Sequence, residues 1–418
     1  MSLHALLVSD LPGSGDTLNE KDGLWIDDAE ELMNPVIESS EFIFKATGIV
    51  RINDDGVKMA AKHIRQKIST ESYTPRTWRT HPLHLVPPDP YIATDPINKQ
   101  ILDWIFLISA LNFSFWSEKE GRPDRYGVEW RDRWGSDARK VWTGYWSLVA
   151  SLNRALADDD VPITDPNFYS SETACPDSLI EHVFRPAEQS AETIPLLRQR
   201  IAVMREVGSV LCSNFGGSFL GFIEEFHRRN NGEGTALELV QMVTDTFPSF
   251  RDEVIHNGRK VYFWKRAQIL VAETWAAFFP ASPTGTHPIF PGSRGPQIQQ
   301  LTMFADYRVP QILHHLRILT YPPSLVKLLQ AGAPLESGSK EEMSLRAASI
   351  LAVERVREEI LRLFAEEKDE TGKESVSSVL IDFYLWDLAK KIESGEEKIE
   401  GMETADMAPI HRTRSIWY

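Results

Sequence analysis

The chain has 418 residues, is 42% hydrophobic and 25% charged, and carries a formal charge of −15; that is an ordinary globular balance, long enough to bury a sizeable core. The negative excess opposes docking on nucleic-acid polymers and acidic membranes, because neutralising phosphates takes clustered Lys and Arg; a single phosphate on a small nucleotide stays within reach of a local basic patch. Two cysteines, Cys175 and Cys212, give neither a disulfide framework nor metal-ligand spacing and fit a reducing, cytoplasmic setting.

Residues 1–33 are rich in Gly, Ser, Asp and Glu without steady periodicity, and lack the basic region and long apolar core of a signal peptide. They are expected to form a flexible extension ahead of one domain over residues 34–418. From Asn34 the pattern turns helical: Phe42, Phe44 and Ile49, then Val57, Ala60, Ala61 and Ile64, mark segment 40–66. Thr74 to Pro90 holds five prolines and two histidines, which predicts a fixed loop. Ile101–Trp116 is apolar on nearly every side and reads as a buried helix. Asp103, Ser109, Asn112 and Ser114 within it argue against a membrane span.

Ile194–Leu211, Leu237–Phe247 and Val261–Phe279 are amphipathic helix candidates. Residues 280–296, dense in Pro, Gly, Ser and Thr, read as a surface insertion. The clearest helix is Leu345–Phe364, where Leu345, Ala352, Val356, Ile360 and Phe364 form one stripe. Glu366–Ser378 and Glu393–Ala408 read as polar linkers. With no period-two strand series and no fixed repeat, the fold class is mainly α with room for a few short strands.

The signatures of phosphate loops, zinc hydrolases, serine hydrolases and dithiol sites do not occur, so no metal or cofactor is expected. Gly216-Gly217 in SNFGGSF reads as a helix–helix turn ahead of a phosphate site. His314 and His315 project about 100° apart on a helix, which favours packing or solvent contact over shared ligation. His81 and His84 in THPLHLVPP stay open between fixing their loop and facing a pocket.

In LTMFADYRVPQ, Asp306 directly follows the apolar run Met303-Phe304-Ala305. A carboxylate there is costly unless paired, hydrogen-bonded or meeting a ligand. It either caps a helix or faces positive charge developing in a reaction. In IDFYLWD, Asp382 and Asp387 flank Phe383, Tyr384 and Trp386. Five helical steps set the two carboxylates about 140° apart, and spacing alone favours Asp382 as an N-cap and Asp387 as a solvated residue. LNFSFWSE (111–118) and FWKRAQIL (263–270) default to satisfied core.

Taken together, NPVIESSEFIF, LNFSFWSE, GYWSLVASLNRAL, FGGSFLGFI, FWKRAQILVAETW, LTMFADYRVPQ, IDFYLWDLAK and HRTRSIWY resemble the queuosine salvage protein family, the queuosine 5′-phosphate N-glycosylases. The matching stretches run in order from about Asn34 to Tyr418 and leave out the N-terminal extension; residues 280–296 look like an insertion. The resemblance implies an α-helical fold similar to helix-hairpin-helix DNA glycosylases, acting on the free nucleotide queuosine 5′-phosphate to release queuine for tRNA modification. The family's catalytic aspartate falls on Asp306 and its substrate contacts on His84, Phe304, Asp382, Phe383 and Asp387. Phe383 stands where a tyrosine is common, so a hydroxyl contact there is lost. Lys265, Arg266 and Arg308 are unranked candidates for the 5′-phosphate. The competing reading is a non-catalytic α-helical module that binds a nucleobase or a partner protein; a DNA glycosylase is disfavoured by the negative charge.

Overall fold

Asn34 opens the first helix: its side chain accepts the Val36 N–H at 3.0 Å and Pro35 takes the first helical position, so α1 runs Pro35–Thr47. The structure is a computed structural model that describes residues 33–70, 73–282, 285–367, 376–399 and 401–418; the expected extension over 1–33 lies outside them, Met33 apart. Gly48 ends α1 at φ +59°, with its N–H on the Phe44 carbonyl at 3.2 Å. Segment 40–66 is therefore two helices, with strand β1 (Arg51–Ile52) between α1 and α2 (Asp54–Thr70). The proline-rich segment holds one 3-10 turn, Pro75–Thr80, and otherwise runs as loop.

The buried helix α3 spans Ile97–Ala110, ending six residues short of the expected Trp116. Residues 111–116 stay buried past the end of the helix, and the carbonyls at this buried helix end need partners. Cations supply them. Arg266 holds the Ala110 carbonyl, Arg200 holds those of Leu111 and Phe113, and Lys265 Nζ donates to that of Asn112 at 3.1 Å.

The chain continues through β2 (Gly127–Arg131), β3 (Arg139–Thr143), α4 (Tyr145–Ala157), α5 (Pro166–Tyr169), α6 (Asp177–Val183), α7 (Leu197–Asn214), α8 (Phe219–Arg229) and α9 (Ala236–Thr246). Gly216 and Gly217, both at positive φ, make the turn between α7 and α8. Then come β4 (Glu253–His256), β5 (Arg259–Tyr262), α10 (Lys265–Ala277), α11 (Val309–His315), β6 (Leu319–Thr320), α12 (Pro323–Gln330), α13 (Lys340–Glu367) and α14 (Ser378–Glu393). The strands form three antiparallel pairs, β1–β6, β2–β3 and β4–β5. The fold is mainly α.

The β4–β5 hairpin takes Val261 and Tyr262 from the expected helix 261–279. Its turn, Asn257-Gly258, has both residues at positive φ, the two-residue arrangement that matches strand twist. Helix α13 buries the whole predicted stripe and packs against α1, α2, α11 and α14. Residues 280–296 carry no α-helix or strand where described, yet they are not all surface: His287, Ile289 and Phe290 are buried. No helix among the described residues is long and apolar enough to cross a membrane.

Candidate active site

Residues four apart on a helix share a face. On α10 that places Lys265, Ile269 and Glu273 in one stripe; on α14 it aligns Asp382, Trp386 and Lys390, with Phe383 and Asp387 beside them. Both stripes line a cavity of about 320 Å³, large enough for a small molecule. The wall includes all six residues singled out from the sequence: His84, Phe304, Asp306, Asp382, Phe383 and Asp387.

Asp306 is half-buried and caps α11 while standing in the cavity wall. Its Oδ1 accepts the N–H groups of Arg308 at 2.7 Å and Val309 at 3.0 Å, and Pro310 fits the first helical turn, where no N–H is needed. The preceding residues are pinned from two sides. Asp382 Oδ1 accepts the Phe304 N–H at 3.0 Å, and Arg346 Nε donates to the Ala305 carbonyl at 3.0 Å. Arg346 is itself held by Asp252, at 3.1 and 2.5 Å, and by the Phe263 and Tyr418 rings at 4.1 and 4.3 Å.

Asp382 does not cap its helix, contrary to the reading from spacing. Ser377 caps α14, so Asp382 falls one turn inside and is buried. Burial, reinforced by neighbouring Asp306, holds its carboxyl well above the usual carboxylate range. Nor is Asp387 simply solvated: it accepts the Tyr73 hydroxyl at 2.8 Å, and burial raises its pKa. Phe304 and Phe383 meet at 5.9 Å between ring centres.

The proline-rich loop contributes an aromatic wall. His84 stacks on Trp78 at 3.8 Å and His81 on Trp146 at 3.5 Å. Burial lowers the His84 pKa to about 4, so the ring is neutral near pH 7. Its Nδ1 lies 2.6 Å from the Trp78 carbonyl, which can only accept, so the hydrogen sits on Nδ1 and Nε2 is left as an acceptor. That Nε2 is buried and has no hydrogen-bond partner among the described residues.

Glu273 and Lys390 are among the wall residues that escaped the sequence reading, as are Glu120 and Arg125. Glu273 is buried and bonded by Ser109 Oγ and Tyr145 OH, each at 3.2 Å; burial raises its pKa to about 7. Lys390 lies near Arg308 at the far end of α14's stripe. A second charge eight residues along one face of an otherwise buried helix, Lys265 with Glu273 and Asp382 with Lys390, is the signal that would have found both. Lys265 and Arg308 are in the wall; Lys265 donates to the Asn112 carbonyl and to Asn112 Oδ1 at 2.9 Å, and burial lowers its pKa to about 8. Arg266 is not in the wall. It is fully buried between the Ala110 and Ser249 carbonyls and the Phe113 and Phe250 rings, which removes it from the phosphate candidates.

A family model described as "Queuosine salvage protein" matches residues 92–418. A protein of Schizosaccharomyces pombe is 37% identical over 391 residues, which is 92% of this chain and 100% of that one. A Mus musculus protein is 34% identical over 383 residues, 91% of this chain and 98% of the relative. A Sphaerobacter thermophilus protein is 34% identical over 359 residues, 86% and 91% of the two chains. All three bear the name queuosine 5′-phosphate N-glycosylase/hydrolase. With a family match that takes in every residue of the α10, α11 and α14 walls, and relatives aligned over nearly their full length, this chain belongs to the queuosine salvage protein family.

Proposed function

We infer that the protein hydrolyses the N-glycosidic bond of queuosine 5′-phosphate, releasing queuine and ribose 5-phosphate. Cleaving this bond builds oxocarbenium character on the ribose, and a fixed carboxylate at the anomeric carbon counters that charge most strongly where water is excluded. Asp306 fills this role. One oxygen, Oδ1, is held by two backbone N–H groups, so the carboxylate is aimed before substrate arrives.

The leaving base carries a secondary amine that is protonated near neutral pH. Asp382 and Asp387 pair with that ammonium, while Phe304 and Phe383 stack on the flat deazapurine. His84 Nε2 accepts a hydrogen bond from a donor on the base. The observation that carries this reading is the meeting of three carboxylates, Asp306, Asp382 and Asp387, in one cavity wall of a chain from this family.

The same reading makes residues 34–418 one catalytic domain, whose cavity draws on residues from Tyr73 to Tyr418. It takes the helical body as akin to helix-hairpin-helix DNA glycosylases, supported by the α7–α8 pair joined at Gly216-Gly217. The substrate is the free nucleotide rather than a polymer, in keeping with the charge of −15, and the free thiols of Cys175 and Cys212 suit the cytoplasm. Incubation with queuosine 5′-phosphate and chromatography for queuine tests the reading: well-folded protein yielding no queuine would remove it.

A further inference from the structure

Two stretches singled out in the sequence, LNFSFWSE and HRTRSIWY, have no part in the chemistry proposed above, yet they meet in the fold. Ser114 donates its N–H to the main-chain oxygen of Tyr418 at 2.9 Å. Trp116 Nε1 donates to the Thr413 carbonyl at 2.8 Å, and the Arg414 guanidinium stands 3.4 Å from the Trp116 ring centre. These contacts set Tyr418, which is buried, into the cavity wall. The Tyr418 hydroxyl donates to Glu342 Oε1 at 2.8 Å, the same oxygen that lies 3.5 Å from Arg346 Nη1. The Tyr418 ring centre lies 4.3 Å from that guanidinium. Burial holds the hydroxyl well above its ordinary pKa, so it remains a donor. Its one hydrogen goes to Glu342, so His411 Nε2, 3.1 Å away, is the donor to its oxygen.

We propose that Tyr418 is a positioning residue for Asp306, acting through Glu342 and Arg346; this rests on the nucleotide-hydrolase reading above. Arg346 Nε holds the Ala305 carbonyl at 3.0 Å, one residue before Asp306. Glu342 is fixed through both oxygens: Oε2 accepts the Gly338 N–H at 3.0 Å, and Oε1 accepts the Tyr418 hydroxyl. Without that hydroxyl, Oε1 is left buried with only its long contact to Arg346, an under-satisfied acceptor beside a cation. Closing that distance draws the guanidinium off Ala305, because a charge-assisted bond is the stronger of the two. The hydroxyl therefore keeps Glu342 back, and Arg346 stays on the segment that aims Asp306.

The test uses Tyr418→Phe, which keeps the ring beside Arg346 and removes only the hydroxyl, and Glu342→Gln, which removes the charge it answers. Each lowers kcat for queuosine 5′-phosphate about 10-fold, the scale of a misplacement below about 1 Å, and changes KM by less than about twofold. The double variant falls no further than the lower single, since both substitutions act on one path. Amide hydrogen exchange gives a readout independent of turnover. The N–H groups of Arg308 and Val309, which bond Asp306, exchange about 10-fold faster in Tyr418→Phe, while those of α4 keep their wild-type rates. A rise in KM at unchanged kcat makes Tyr418 a substrate contact and overturns the positioning role. So does a lower melting temperature with kcat and both amides unchanged. Wild-type protein that releases no queuine sinks the hydrolase reading, whereas unchanged Arg308 and Val309 exchange in Tyr418→Phe sinks the positioning role alone.

Discussion

Asp382 accepts the backbone N–H of Phe304 at 3.0 Å, which ties the first turns of α14 to the segment that delivers Asp306. One oxygen is thereby used for structure, and the other is available to a ligand. Asparagine retains an acceptor for Phe304 while losing the charge. Asp382→Asn and Asp387→Asn are therefore expected to weaken binding of queuosine 5′-phosphate by about 2–5 kcal/mol, the usual loss when one partner of a desolvated charge pair is truncated. An analogue lacking the aminomethyl-cyclopentenediol arm should lose far less. Equal losses for both ligands, measured by titration, would show that the carboxylates act on structure alone.

A pH effect follows from the same residue. Burial and Asp306 keep Asp382 protonated above the usual carboxylate range in the free protein, whereas pairing with an ammonium requires the ionised form. If Asp382 pairs with the ammonium as proposed, binding of queuine should expel a proton, and affinity should strengthen as pH rises toward the raised pKa of Asp382. Calorimetry in two buffers of different ionisation enthalpy should show net proton release that disappears in Asp382→Asn. Proton uptake by the wild-type protein contradicts the pairing.

The long helices were legible because burial imposes a 3.6-residue stripe, and α13 kept every member of its predicted one. The β4–β5 hairpin was not, since each strand is four residues long and Ile255 is 65% exposed, which leaves no alternating apolar face to detect. At the site, spacing alone misassigned Asp382, because it could not tell that Ser377 starts α14 earlier. The family resemblance, rather than periodicity, named the residues that share the cavity. Glu273 and Lys390 were missed because Ile269 and Trp386 stand between each of them and the next charge on the same face, so each reads as an isolated, solvated charge; only the packing around α10 and α14 turns those faces inward.

Glu273 offers a stability signature. Its pKa rises from the model-compound value of 4.5 to about 7 through burial, so the folded protein holds a proton that the unfolded chain has lost. This contribution is fully present below about pH 4.5, falls as pH rises, and is gone above about pH 7. Glu273→Gln, neutral throughout, should lose less melting temperature than wild type between those two pH values. Parallel melting curves for the two proteins would contradict a raised Glu273.

Arg346 reaches the Ala305 carbonyl but does not line the cavity, so it acts by positioning. Its removal leaves Asp252 buried without its partner, and Arg346→Met should cost about 3–5 kcal/mol of stability. In protein kept folded at low temperature, kcat should fall more than KM rises, since the Asp306 segment loses one of its two anchors. An unchanged kcat would show that the Ala305 bond does not serve catalysis.

Among the described residues, no group of three or more His, Cys, Asp or Glu side chains is placed to hold a metal ion, and the proposed chemistry asks only for a carboxylate and hydrogen-bond donors. Activity should survive exhaustive chelation. Loss with EDTA, restored by one divalent ion, would overturn that expectation.

The central claim is that Asp306 supplies negative charge at the anomeric carbon, and Asp306→Asn tests it most directly. Asparagine keeps the Oδ1 acceptor for Arg308 and Val309 and caps a helix about as well as aspartate, so folding is preserved while the charge is removed. Ground-state substrate has little charge at that carbon, so affinity should change little. The single-turnover rate, measured with queuosine 5′-phosphate alongside melting temperature, should fall by about 10²–10³ or more. A near-normal rate in the folded variant would reduce Asp306 to its cap and contradict the mechanism.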